Sequence, residues 1–167
     1  MADRPTDAVV PSDRKWTRRV ASAVVAALFL AACLRPAVRV QGWTFQLFGD
    51  SEVDYRGAEA ALYGWFSPFF LPWFANLFLL AGWLELIRGG GRWAAALGGM
   101  ALALGASAWV FMVYPPCLLL RGVALTRLLT GYYLWQGSMI ALVLSGLWVG
   151  GFAPEAEPGA APDPTGT

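Results

Sequence analysis

Histidine is missing from this chain, and cysteine is scarce. The 167 residues include no histidine and only two cysteines. Histidine is the most frequent general base and metal ligand in proteins, so the usual centre of both kinds of site is missing. The sequence also lacks a Gly-x-Ser-x-Gly elbow, a His-Glu-x-x-His helix, a P-loop and a dinucleotide fingerprint. We therefore expect a protein that is not an enzyme and that has no metal or cofactor.

Charge is also in short supply. Charged residues form 14% of the chain, hydrophobic residues form 57%, and the net charge is +1. A typical soluble domain has about 25% charged residues. A net charge this small provides no basic field to attract nucleic acid, so we expect no nucleic-acid partner.

The few charges leave three long runs with none at all. These runs cover residues 60–84, 93–114 and 128–152, and they are 25, 22 and 25 residues long. About 20 apolar residues in a helix span the roughly 30 Å hydrocarbon core of a bilayer. Because lipid offers no partner to backbone polar groups, a spanning segment has to be helical. The sequence therefore predicts at least three transmembrane helices.

A fourth apolar run, residues 20–34, has two interpretations. It is 15 residues long, which is short for a span. It is either a retained transmembrane helix whose flanking arginines reach the interfaces, or a cleaved signal sequence. In the second case Leu30-Ala31-Ala32-Cys33 resembles a bacterial lipobox. We favour the retained helix, because a lipoprotein with three further spans would be an unusual architecture.

Together the four runs predict an all-α, polytopic membrane protein. The expected spans are about 18–36, 66–87, 93–114 and 128–151, within a transmembrane domain of residues 17–152. The leader 1–16 and the acidic tail 153–167 have no apolar periodicity, and we expect both to be disordered. The loop between the first two spans is expected to be partly interfacial, with residues 57–66 as a helix lying along the membrane.

Lysine and arginine set the predicted orientation. Four spans place the N-terminus, the turn at residues 88–92 and the C-terminus on one side. That side carries Arg4, Arg14, Lys15, Arg18, Arg19, Arg88 and Arg92, against Arg35, Arg39, Arg56, Arg121 and Arg127 on the other. Cytoplasmic flanks hold the excess of such residues. The sequence therefore predicts a protein of the bacterial inner membrane with both termini in the cytoplasm.

The two cysteines fall near the outer face in this topology. Cys33 ends the first predicted span, and Cys117 lies in the connector before the last one. Disulfides persist outside the cytoplasm, so a bridge between them is one interpretation. Two small buried thiols are the other.

The second predicted span contains one amide and two prolines. Asn76 lies far from either end of the uncharged run, and an amide at that depth ordinarily bonds a neighbouring helix. Pro68 and Pro72 break or kink a helix. Such a break marks some transport sites, but we favour the interpretation that it ends an interfacial helix.

The last predicted span contains a small-residue motif. Gly146 and Gly150 form a GxxxG pair, which lets two helix backbones approach closely. We expect this face to pack within the bundle, and oligomerisation is the alternative.

Three segments resemble a family of small bacterial multi-span membrane proteins. They are Gly57-Ala-Glu-Ala-Ala-Leu62-Tyr-Gly64-Trp65, Trp73-Phe-Ala75-Asn76 and Gly131-Tyr132-Tyr133-Leu134-Trp135. The corresponding family patterns are GxxALxxGW, WxANP and GYYLWxAS. This chain departs from them with Leu77 where a proline is typical and Gly137 where an alanine is typical. The resemblance implies four spans and a retained first helix, and it carries no catalytic activity.

The expected function is that of a non-enzymatic accessory or scaffold component. The expected partners are the lipid bilayer and either other membrane proteins or a second copy of the chain. Embedded acids and bases, which mark ion and proton pathways, are missing from the three long runs. A small-molecule or ion conduit centred on the Pro-broken second helix is the first alternative. A thiol-redox membrane protein using Cys33 and Cys117 is the second.

Overall fold

The computed structural model describes residues 13–42, 51–63, 70–113 and 123–151. These residues form five helices and three strands. In chain order the elements are α1 (Asp13–Leu34), β1 (Pro36–Gly42), β2 (Ser51–Arg56), α2 (Gly57–Tyr63), α3 (Phe70–Arg88), α4 (Gly91–Val113), β3 (Val123–Leu128) and α5 (Thr130–Gly151).

Three of the helices are long and apolar enough to cross a membrane. The qualifying segments are Lys15–Leu34, Gly91–Val110 and Thr130–Gly151. At about 1.5 Å per residue, helices of this length match the hydrocarbon thickness of a bilayer. The prediction of a mainly helical chain with several bilayer-length helices is therefore confirmed.

These three helices do not all correspond to the three uncharged runs from which the sequence predicted spans. The short first run belongs to α1, which is 22 residues long because it begins at Asp13, ahead of the predicted domain start at residue 17. The 19-residue helix α3 is not among the three segments. Its described part carries the polar Asn76, Glu85 and Arg88 and begins only at Phe70.

A small antiparallel sheet corrects the all-α expectation. Its strand order is β2-β1-β3, so the segment after α1 pairs with the segment before α5. Val38 lies opposite Leu128, and Val40 lies opposite Leu125, with a bulge between the two pairs. The loop and the connector form strands because pairing satisfies their backbone groups while the apolar side chains cover the end of the bundle.

The helices pack in the order α3–α4–α5–α1, and α1 also contacts α3. One core runs between them and includes the fully buried Leu86, Met139 and Leu142. A second cluster lies under the sheet and joins Leu125 and Leu128 to Tyr132 of α5. The sheet therefore closes one end of the bundle, which we call the sheet end.

The opposite end is closed by the turn between α3 and α4. The Gly90 amide donates to the Glu85 carbonyl at 2.8 Å, and the Gly89 amide donates to the Leu86 carbonyl at 3.2 Å. This pair of bonds is the Schellman ending of a helix, which needs a residue with positive φ. Gly89 has φ = 95° and lies against the guanidinium of Arg18.

We expect Gly89→Ala to destabilise the protein. A side chain at positive φ costs about 1–2 kcal/mol, and a Cβ here would also displace Arg18. The free energy of unfolding, measured in mixed detergent, should fall by at least that amount. Gly99→Ala is the control, because a Cβ at Gly99 meets nothing within 4 Å. Equal behaviour of the two variants would show that the turn does not require glycine.

Candidate functional site

The described parts of the three segments that carry the family resemblance, residues 57–63, 73–76 and 131–135, meet toward the sheet end of the bundle. Gly57 begins α2, and its amide donates to the Arg35 carbonyl at 2.9 Å. A Cβ on Gly57 would collide with the carbonyl of Ala32. Gly131, at the start of α5, lies against the carbonyls of Arg35 and Pro36, where a Cβ would come within 2.7 and 2.8 Å. Two of the segments therefore pack on the same short turn that follows α1.

The Trp-Phe-Ala-Asn segment of α3 reaches both of the others. The indole nitrogen of Trp73 donates to the Ala61 carbonyl of α2 at 2.6 Å. On α5, the indole nitrogen of Trp135 donates to Oδ1 of Asn76 at 2.8 Å. Asn76 of α3 thus accepts a hydrogen bond from α5.

A second polar chain connects α5 to α4. The Tyr132 hydroxyl donates to the Gly105 carbonyl at 3.0 Å and accepts from Nε2 of Gln136 at 2.9 Å. A Cβ on Gly105 would come within 2.5 Å of that same amide nitrogen. The close approach of α4 therefore brings the tyrosine and glutamine within reach of its backbone. We call Asn76, Tyr132, Trp135, Gln136 and Gly105 the motif junction.

One atom of the motif junction has no partner. Oε1 of Gln136 is buried and accepts no hydrogen bond within the described part of the chain. A buried acceptor of this kind costs about 1–3 kcal/mol when it stays unsatisfied.

A series of aromatic rings leads from the motif junction to the surface. The Trp135 and Tyr132 ring centroids are 5.8 Å apart, and those of Tyr132 and Tyr133 are 5.6 Å apart in an edge-on arrangement. Tyr133 then lies 6.4 Å from Trp109 of α4. Tyr133 is exposed, so the outermost rings are available to lipid or to another protein.

The chemistry available at the motif junction is binding and packing. Its side chains are amides, a phenol and an indole, which form hydrogen bonds and ring contacts. Among the described residues, no three His, Cys, Asp or Glu side chains come together in a way that could hold a metal ion.

The nearest charged pair lies on the sheet. Arg39 of β1 donates from Nε and Nη2 to the two carboxylate oxygens of Asp54 on β2, at 2.6 and 2.9 Å. This hydrogen-bonded guanidinium holds the pKa of Asp54 below its usual value. The ion pair therefore persists to more acidic pH than an ordinary aspartate would allow, and it joins the two strands.

Several predicted positions lie outside the described residues or away from the motif junction. Cys117 and Pro68 lie outside the described residues. The Cys33–Cys117 disulfide and the helix break at Pro68 and Pro72 therefore stay predictions. Cys33 is half-buried near the end of α1. Pro72 is in the first turn of α3, where proline removes no helical hydrogen bond.

The GxxxG pair of α5 faces α4. A Cβ on Gly146 would come within 2.5 Å of the Ala95 nitrogen and 2.7 Å of the Gly91 carbonyl oxygen. A Cβ on Gly150 would lie 3.0 Å from the Arg92 nitrogen. These glycines are therefore used where the two backbones cross inside the bundle.

Sequence reasoning missed Gln136 and the hydrogen bond that the Gly105 carbonyl accepts. Gln136 stands in an uncharged run as Asn76 does, so the same depth argument would have found it. Gly105 is one of the small residues of its uncharged run, which suits close helix packing, but its partner depends on how α4 crosses α5.

Comparison with protein-family models, curated proteins and solved structures finds no match to this chain. The family resemblance of the three segments stays a prediction.

We expect Asn76 and Trp135 to be energetically coupled. Asn76→Leu and Trp135→Phe each remove the same hydrogen bond, so the double variant should be less destabilised than the sum of the two. The coupling should be about 0.6–1.7 kcal/mol, the range for bonds between membrane helices. Unfolding in mixed detergent measures it. Pairing Asn76→Leu with Trp93→Phe on the exposed part of α4 is the control, and those effects should add.

We expect Gly146→Ala to separate α4 from α5. Backbone atoms cannot yield as side chains do, so the unfolding free energy should fall by about 1–3 kcal/mol. The matched control is Gly137→Ala on the same helix, where a Cβ meets nothing within 4 Å. Light scattering in detergent should show the same oligomeric state for the wild type and for both variants. A change of that state in Gly146→Ala alone would assign the glycine face to an interface between copies.

Proposed function

We propose that the chain is a four-span protein of the bacterial inner membrane. The observation that supports a fourth span is a stripe on α3. Leu71, Phe74, Leu77, Leu80, Leu84 and Ile87 recur every three or four residues and are between 40% and 52% exposed. A large apolar stripe on a helix whose other side is buried against α4 is suited to acyl chains. The 19 residues of α3 are long enough to cross with little tilt.

The proposed orientation has both termini in the cytoplasm. The first turns of α1 carry Lys15, Arg18 and Arg19, and Arg18 touches Gly89 in the α3–α4 turn. That turn is flanked by Arg88 and Arg92. This end of the bundle, which we call the basic end, therefore carries more basic residues than the sheet end, as the cytoplasmic end of a membrane protein does.

Within the membrane we propose a non-enzymatic role as an accessory or scaffold component. The observation that carries this proposal is that most polar groups of the motif junction form hydrogen bonds with other helices or side chains of the same chain. Such bonds fix the positions of α3, α4 and α5 and so keep their outer faces constant. The outer face of α5 presents Tyr133, Ile140, Leu144 and Leu147 on one side of the helix. A rigid apolar face with an aromatic end is a suitable contact for another membrane protein.

Affinity purification in mild detergent tests this role. A stoichiometric partner should co-purify with the chain, and Leu144→Trp with Leu147→Trp should remove it while the protein stays folded. Leu80→Trp with Leu84→Trp on α3 is the matched control and should leave the partner bound. If nothing but lipid and detergent accompanies the wild-type chain, the scaffold role has to be abandoned.

A conduit is the second candidate, and the unpartnered Oε1 of Gln136 is the observation in its favour. An unsatisfied acceptor in the same motif junction as Asn76 would suit a passing polar solute. The proposal then requires that Asn76→Leu abolish a flux in proteoliposomes while the helical content is unchanged. Retained flux in that variant would rule the conduit out.

A thiol-redox role is the third candidate, with Cys33 as its described member. Thiol labelling should then differ between oxidised and reduced cells, and identical labelling would remove the idea.

A further inference from the structure

A cleft between α1 and α3 lies at the basic end of the bundle, far from the motif junction. Its volume is about 430 Å³, within the range of small-molecule sites. Lys15, Arg18 and Arg19 line its outer part. Ala23 and Ala26 line its inner part, farther along α1, and Ile87 lines the α3 side. The cleft therefore changes from cationic to apolar along its length.

A hydrogen bond joins the two walls of the cleft. The indole nitrogen of Trp83 donates to the Ser22 carbonyl at 3.1 Å, which ties α3 to α1 midway along the cleft. Arg18 extends to Gly89 at the end of α3, so it lies across the mouth. Lys15 and Ala26 are separated by eleven residues of helix, or roughly 16 Å.

The three cations of the cleft are not neutralised within the described part of the chain. The ion pairs there join Arg39 to Asp54 and Arg88 to Glu85, and none involves Lys15, Arg18 or Arg19. The nearest carboxylate on the adjoining turn, Glu85, accepts from Arg88 at 3.0 Å. Three uncompensated cations around one opening favour an anion there.

We propose that this cleft binds the head group of an anionic phospholipid. Its phosphate would lie among Lys15, Arg18 and Arg19, and the first part of an acyl chain would follow Ala23 and Ala26. Basic pockets between membrane helices on the cytoplasmic side bind such head groups. The apolar inner half argues for an amphiphile, because a free phosphate ion would leave it unused. The proposal does not depend on the scaffold role.

The test uses the full chain purified in an uncharged detergent. Native mass spectrometry should show phosphatidylglycerol binding more tightly than phosphatidylcholine. Arg18→Gln should weaken phosphatidylglycerol binding about fivefold, the effect of one cation near an anionic lipid. Arg92→Gln is the matched control, since it removes one charge near the same end without lining the cleft, and it should bind as the wild type does. Lys15→Gln replaces Arg18→Gln if the latter fails to fold.

Filling the inner half separates a lipid from a free anion. Ala23→Trp keeps all three cations but blocks the acyl path, so it should weaken phosphatidylglycerol binding. Ala96→Trp, at an exposed position of α4, should not. Equal binding of the two lipids, or equal effects of Arg18→Gln and Arg92→Gln, overturns the proposal. So does inorganic phosphate that competes fully with the lipid while Ala23→Trp has no effect.

Discussion

Hydrogen bonds from polar side chains join the helices of this bundle, and the other neighbours of these side chains are mostly apolar. Trp135 finds Asn76 across the α5–α3 contact, and Tyr132 finds the Gly105 carbonyl across the α5–α4 contact. Trp83 does the same for α3 and α1 through Ser22. An unsatisfied polar group in such surroundings costs several times what a bond between helices contributes. The bonds therefore decide which helices are neighbours, while apolar packing supplies most of the contact area.

Glycines allow these bonds to form by letting backbones come close. At the sheet end, Gly57 and Gly131 both rest on the turn after α1. At the basic end, Gly146 and Gly150 rest on the first turns of α4. Close approach at both ends fixes the spacing of the helices over their whole length. The amides and indoles between them then meet at hydrogen-bonding distance with little freedom to shift.

Some helices could be predicted from the sequence, and other elements could not. α4 and α5 follow from uncharged runs, because apolar segments of about 20 residues or more are typical of helices that span a bilayer. The start of α1 was misjudged because its first turns, around Lys15 and Trp16, are polar or interfacial in composition. β3 was missed because it pairs with β1, a segment more than 80 residues away, and pairing at that distance leaves no local pattern. For the motif junction, depth in an apolar run identified Asn76, but its partner depended on how α5 lies against α3.

The position of α1 limits how the protein can be made. Val25 and Ala32 of this helix are buried, Ser22 offers the acceptor for Trp83, and Gly57 rests on its last turn. A signal peptidase that cut between Ala32 and Cys33 would carry away every one of these contacts. On the remaining helices, the apolar residues that α1 had covered would be exposed, and the indole of Trp83 would lose its acceptor. A newly made chain can therefore be cleaved at that bond or assemble into this bundle, but it cannot do both.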